Sequence, residues 1–292
     1  MKRPPPIPRI YTLTGNLLWE QTLEFADWAP GRTQRAQSGT FQVGGKGINV
    51  SKMLTRLGTP STALCFAGGH SGAAGVAWLK AHGFAFRSFA TRRATRTGLV
   101  VRGGRRAETV FLGPDAPPGA AAVRRCAAYL DGQPDGGVLA ICGSLPGWAT
   151  ADFDPLRAAL ERWNARGLLV VDTYGPPLAW LAARPVALVK INRQEFEDLR
   201  RGRRWPVRAW VVTDGGGPVS VTDERGRVTR LQPPRVREIS PTGSGDVLLA
   251  CMLHARLRRG LGWRAAAAFA LPYAAANAAD QGIATFPDPP AK

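Results

Sequence analysis

Apolar residues along the chain fall into short continuous runs separated by amphipathic stretches, and the two patterns alternate through most of the 292 residues. Residues 62–67, 138–142, 168–172, 187–191 and 209–213 are apolar runs of strand length, the signature of strands buried on both faces. Between them, 48–57, 72–81, 120–130, 152–166 and 193–200 place apolar residues at helical spacing. Asp152 is positioned to cap its helix, and Gly58, Gly83 and Gly167 to close the helices they follow. This βαβα rhythm predicts an α/β fold with a mostly parallel central sheet covered by helices on both faces.

Two stretches break the rhythm. Residues 17–43 and 84–112 carry little helical signal; Trp19, Gln21, Leu23 and Phe25, then Leu99, Val101, Val110 and Leu112, suggest antiparallel strands outside the main sheet. They predict a small β-strand lid over the C-terminal edge of the parallel sheet, where open α/β folds bind ligands. The alanine-rich segment 265–279 is interrupted by Pro272 and Asn277 and predicts a packed helical pair. No internal repeat or long linker divides the chain, so residues 1–292 read as one domain with the lid inserted.

Composition narrows the picture. No run reaches the roughly 18 apolar residues of a membrane helix. The basic, proline-rich residues 1–9 lack the apolar segment of a secretory signal. Four cysteines show no metal or redox spacing; Cys65 and Cys142 sit in apolar runs as buried thiols do, which fits a reduced cytoplasm. The net charge is +18, but arginine outnumbers lysine 33 to 6 and is scattered along the chain, with short clusters at 102–106 and 200–204. That distribution argues against a nucleic-acid stripe, while still favouring anionic small molecules by salt-dependent steering.

Candidate chemistry resides in two glycine-rich turns. The first, Val43-Gly44-Gly45-Lys46-Gly47-Ile48-Asn49, runs straight into a helix; its glycines allow close backbone approach, and Asn49 can donate to and accept from hydroxyls. The second, Ser240-Pro241-Thr242-Gly243-Ser244-Gly245-Asp246, precedes the apolar helix 247–257. Gly243, Ser244 and Gly245 would aim backbone amides at one point on a helix N-terminus, an anion hole for a phosphoryl group, with Asp246 beside it to take a proton from an attacking hydroxyl. Neither turn is a GxxxxGK[ST] loop, and no GxGxxG follows the first strand, so P-loop and dinucleotide-binding readings lose support.

Together the stretches GGKGINVSKMLTRLG and PTGSGD resemble the two signatures of the PfkB (ribokinase-like) carbohydrate kinases. Gly143-Ser144-Leu145-Pro146, Asp172-Thr173-Tyr174-Gly175, Lys190-Ile191-Asn192-Arg193-Gln194-Glu195 and Val212-Thr213-Asp214-Gly215 follow in the family's order. The opening, IYTLTGN with RAQSGTFQVGGKGIN, is most similar to the 1-phosphofructokinase and tagatose-6-phosphate kinase branch. The resemblance implies a cytoplasmic kinase passing the γ-phosphate of ATP, with Mg²⁺, to a sugar or a hexose phosphate such as fructose 1-phosphate or tagatose 6-phosphate. It makes Asp246 the general base and Gly243, Ser244 and Gly245 the anion hole. Lys190, Asn192, Thr213, Asp214, Gly215 and Asn277 fall on the nucleotide side, and Glu195 would reach Mg²⁺ through water. Glu20, Arg35, Gly44, Gly45, Lys46, Asn49, Arg96 and Ser144 fall on the sugar side, Arg35 supplied from a neighbouring subunit's lid; the exposed strands of such a lid need covering, which predicts a homodimer.

The alternative readings are structural: a strand end entering a helix cap for Lys190-Ile191-Asn192, and a buried or capping amide for Asn277. Departures from the branch cluster on the sugar side. Asn16-Leu17-Leu18-Trp19-Glu20 stands where Asn-Pro-Ala-x-Asp is usual, Gly98 and Val100 replace polar residues, and Tyr174 replaces a serine. Val247 replaces a small polar residue next to Asp246. These changes motivate an alternative in which the chain is a catalytically weak relative that binds sugar phosphate or nucleotide as a sensor.

Overall fold

The structure, a computed structural model, describes residues 8–104, 108–200 and 204–289, so the proline-rich start and parts of both arginine clusters lie outside the described residues. The chain begins with β1 (Ile10–Thr14), then sends out β2 (Leu18–Phe25) and β3 (Ser38–Gly44) before α1 (Lys46–Arg56), β4 (Ser61–Ala67) and α2 (Gly69–Ala81). Next come β5 (Phe86–Ala90), β6 (Arg96–Gly103), β7 (Thr109–Leu112), α3 (Ala120–Asp131), β8 (Val138–Cys142) and α4 (Asp154–Arg166). The second half contains β9 (Leu168–Asp172), α5 (Pro176–Ala182), β10 (Leu188–Asn192), α6 (Arg193–Arg200) and β11 (Trp210–Thr213). It ends with β12 (Val219–Thr222), β13 (Val228–Leu231), α7 (Ser244–Arg259) and α8 (Trp263–Ala278).

Nine strands form the main sheet in the order β13-β12-β11-β10-β9-β8-β1-β4-β5. All neighbours from β5 to β11 are parallel, and β12 and β13 add an antiparallel edge. Side chains of single strands part to opposite faces: Val138, Ala140 and Cys142 pack with α1, α7 and α8, while Leu139 and Ile141 pack with α3, α4 and α5. Burial on both faces is why these strands read as unbroken apolar runs.

The structure differs from the sequence reading in four places. Phe86–Ala90 pairs with β4 in the main sheet and is not a lid strand. The second sheet has the order β3-β2-β6-β7, but β2 and β6 run parallel. β2 and β6 each follow a parallel strand of the main sheet, β1 and β5, so both leave from the same edge in the same sense. The alanine-rich segment is one helix, α8, that continues through Pro272. Asp152 lies in a 3₁₀ turn, Ala151–Phe153, and caps nothing; Phe153 occupies the N-cap of α4. All four cysteines are free and buried, and among the described residues no helix is long and apolar enough to cross a membrane.

Candidate active site

The C-terminal ends of β1, β8, β9 and β10 converge beneath the N-termini of α1 and α7. Gly45 N-caps α1 with φ 120°, a conformation that favours glycine, and Asn49 follows in the first turn. Gly243 N-caps α7 with φ 78°, and a Cβ there would lie 2.8 Å from Ile283. Val247 N–H donates to the Gly243 carbonyl at 2.9 Å, which leaves the first-turn amides of α7 without helical partners. Asp246 is 4% exposed and accepts a 2.8 Å hydrogen bond from Asn49 Nδ2. The two glycine-rich turns, 197 residues apart, thus meet at one carboxylate.

Beside it lies an ion-pair network that the sequence reading did not assign. Asp172, at the end of β9 and 1% exposed, accepts from Lys46 Nζ at 2.8 Å and from Lys190 Nζ at 2.7 Å. Lys190 therefore sits beneath the second turn: a Cβ on Gly245 would lie 2.6 Å from its ammonium, so glycine is the residue that fits. Burial alone would raise the Asp172 carboxyl, but Lys190 and Lys46 hold it below the usual carboxylate range. Burial likewise works against the Lys46 ammonium, and Asp172 and Asp246 outweigh it, so its proton affinity is raised. Asp246 goes the other way: burial, then the negative charge of Asp172, push it up from 3.8 to about 6, against Lys190, Lys46 and the Asn49 hydrogen bond. Two neighbouring carboxylates thus have opposite proton affinities, the pattern that separates an ionised anchor from a proton acceptor.

Toward β11 a cavity of about 410 Å³ opens from Ser244 and Gly245. Thr213, Gly215 and Gly216 form its rim, and Leu248, Ala274 and Ala278 part of its apolar floor. Of the residues expected on this side, Asp214 pairs with Arg193 at 2.8 Å. Asn192 and Glu195 cap each other at the start of α6: Glu195 N–H donates to Asn192 Oδ1 at 2.8 Å, and Asn192 N–H to Glu195 Oε2 at 2.9 Å. Asn277 is fully buried, donating to the Thr242 carbonyl at 3.0 Å and Ser244 Oγ at 3.2 Å while accepting from Ala284 N–H at 3.0 Å. Its side chain pins the second turn from below instead of lining the cavity.

On the opposite side, Asn16 Nδ2 donates to Asp115 Oδ1 at 2.7 Å and Ser144 Oγ at 3.0 Å. Arg96 Nη1 stands 3.4 Å from the same Asp115 oxygen, and its Nε is buried without a hydrogen-bond partner. Glu20 accepts from Gln42 Nε2 at 2.6 Å, and burial raises its proton affinity despite that bond. Arg35 is exposed on the β2–β3 connection and joins neither cluster. Asn16, Asp115 and Asp172 were missed as site residues. For Asp172 a signal existed: a lone carboxylate ending a buried apolar strand requires a buried cation.

At the C-terminal edge of its parallel sheet the chain brings together two glycine-capped helix N-termini and a buried carboxylate of raised proton affinity, an arrangement suited to phosphoryl transfer onto an alcohol. The profile described as "pfkB family carbohydrate kinase" matches residues 16–289, and the chain belongs to that family. The 1-phosphofructokinase of Xanthomonas campestris is 31% identical over 274 residues, 84% of this chain and 83% of that protein. The 1-phosphofructokinase of Borreliella burgdorferi is 26% identical over 262 residues, 84% of each. Among solved structures, phosphofructokinase-2 from Escherichia coli in complex with fructose-6-phosphate aligns with a TM-score of 0.84 at 23% identity, covering 93% of this chain and 94% of that one.

Proposed function

We propose that this carbohydrate kinase transfers the γ-phosphate of Mg-ATP to a hydroxyl of a hexose phosphate, fructose 1-phosphate or tagatose 6-phosphate, with Asp246 as general base. The observation that carries the reading is the placement of Asp246: buried, raised to about 6 in proton affinity, and in the first turn of the helix whose free amides form the anion hole. A base with that affinity is ionised at neutral pH yet can hold a proton taken from the attacking hydroxyl. Asn49 orients its second oxygen, and the amides around Ser244 and Gly245 receive the charge of the phosphoryl group in flight. Lys46 and Lys190, anchored on Asp172, keep positive potential under that point without being mobile.

The 410 Å³ cavity takes the nucleotide, its alanine floor admitting a flat ring beside Gly215 and Gly216. The donor set fits Mg²⁺: Glu195 commits one carboxylate oxygen to the Asn192 amide and leaves the other for a metal-bound water. Mg²⁺ usually takes one or two carboxylates together with substrate phosphates and retained waters. When bound it neutralises charge on the nucleotide phosphates. This reading assigns Gly44, Gly45 and Glu20 to the sugar side; Ser144 is held by Asn16, and the unpartnered Nε of Arg96 offers a donor for the substrate phosphate. The second sheet serves as the lid. Its exposed Phe41, Phe111 and Leu112 (48%, 54% and 56%) support a homodimer that covers this face and brings in a partner's arginine at position 35. Free buried cysteines support a cytoplasmic setting.

The test is ADP release from Mg-ATP over a panel of hexoses, hexose 1- and 6-phosphates and nucleosides. Turnover with the ketohexose phosphates is expected. Turnover with nucleosides alone would overturn the substrate assignment, and silence across the panel would overturn the kinase reading itself.

A further inference from the structure

Arg102, in β6, joins four parts of the molecule. Its Nε donates to Glu108 Oε2 at 2.6 Å, Nη1 to Glu24 Oε1 in β2 at 3.4 Å, and Nη2 to the Gln281 carbonyl beyond α8 at 2.6 Å. Glu108, just before β7, then spends its other oxygen outside its own sheet: Oε1 accepts from Ser240 Oγ and from Thr242 Oγ1, both at 3.3 Å. Those hydroxyls belong to the turn that carries Gly243, Ser244 and Gly245.

An exposed ion pair contributes little. This one is largely shielded, with the Arg102 and Glu108 side chains 20% and 13% exposed, and Ser240 is 3% exposed. Thr242 is held from two directions, its carbonyl by Asn277 from the main body and its hydroxyl by Glu108 from the small sheet. The next residue, Gly243, has the left-handed conformation from which α7 starts. The orientation of the first-turn amides therefore depends on a residue held both by α8 of the main body and by the small sheet.

We propose that Glu108, oriented by Arg102, is a positioning residue that sets the lid sheet and the phosphoryl-transfer turn in register. The inference rests on the phosphotransfer reading above. It makes the anion hole a joint product of the main body and the lid. Binding on the lid side and amide geometry at the transfer point are then linked reciprocally.

The experiment compares wild type with Glu108→Ala, Glu108→Gln, Thr242→Val and the Glu108→Ala/Thr242→Val double variant, using whichever hexose phosphate the wild type turns over. Misplacing transfer groups by a fraction of an ångström is expected to cost about tenfold or more in kcat in Glu108→Ala, with the equilibrium dissociation constant for Mg-ATP changed less than about twofold. Glu108→Gln, which keeps an acceptor for the hydroxyls but loses the ion pair, should fall between wild type and Glu108→Ala. The double variant should be no worse than the poorer single one, because both remove the same contact.

Hydrogen exchange of the 240–246 amides gives a readout independent of turnover: faster exchange in Glu108→Ala, with the β8 and β9 amides unchanged. An unchanged kcat with unchanged exchange would overturn the proposal. So would losses that simply add in the double variant. Asp246→Asn separates the two claims: full activity there sinks the base assignment, whereas the Glu108 series judges only the junction.

Discussion

Asp246→Asn exchanges a buried carboxylate for a neutral amide of the same shape, and it should stabilise the fold at neutral pH while removing the proposed base. The fold raises the Asp246 carboxyl from 3.8 to about 6, chiefly by burial and next by the charge of Asp172. A group whose folded pKa exceeds its unfolded one contributes stability that is fully present below the unfolded value and is lost as pH rises through the folded value. The window here runs from about 4 to about 6. A difference of about 2 pH units, at about 1.4 kcal/mol per unit, puts the cost of the ionised side chain at neutral pH near 3 kcal/mol. Asparagine carries no charge at any pH, and its carbonyl can still accept from Asn49. The variant should therefore unfold up to about 5 °C above wild type at about pH 7.5, given the usual entropy of unfolding per residue, and the gap should narrow toward about pH 4.5. Calorimetry of both proteins across that range is the assay. Equal melting temperatures at pH 7.5, or a gap that does not change with pH, would refute the claim that burial and Asp172 set this proton affinity.

Activity of the wild type should decline as pH falls through about 6, where Asp246 takes up a proton. Asp172→Asn removes a neighbouring negative charge and should move that limb of the kcat/KM profile to lower pH; an unmoved limb would count against the coupling. Asn277→Ala strips the Thr242 carbonyl and the Ala284 amide of a buried partner and should cost about 2–3 kcal/mol in denaturant unfolding. A loss below about 0.5 kcal/mol would mean that water replaces the amide. Leu112→Lys places a charge on the outer face of the lid and should convert a dimer into a monomer in sedimentation at micromolar concentration; a wild-type monomer would contradict the dimer.

The parallel sheet was legible because burial on both faces writes itself into sequence as unbroken apolar runs; β8 and β9 match the expected spans to the residue. β1 escaped notice because Thr12 and Thr14 dilute its apolar signal although all five residues are buried. The β12–β13 hairpin is too short, at four residues a strand, for its alternation to stand out. Strand direction in the lid was not readable from pattern at all, since the route of the chain through β5 fixes it. The glycine turns and Asp246 are local features of sequence, and the fold brings the two turns together at that carboxylate. Asp172 showed in sequence only as a carboxylate closing an apolar run; its partner Lys46 is 126 residues away, and Asn16's partner Asp115 is 99 away, so the pairings themselves appear only on folding.

The central claim is that Asp246 takes the proton from the acceptor hydroxyl. Single-turnover phosphoryl transfer by Asp246→Asn, with Mg-ATP binding measured alongside, tests it most directly. Transfer is expected to slow by about 10²–10⁴-fold, the usual contribution of a positioned base, while Mg-ATP affinity stays within a few-fold of wild type. Transfer at the wild-type rate, with the nucleotide bound normally, would contradict it.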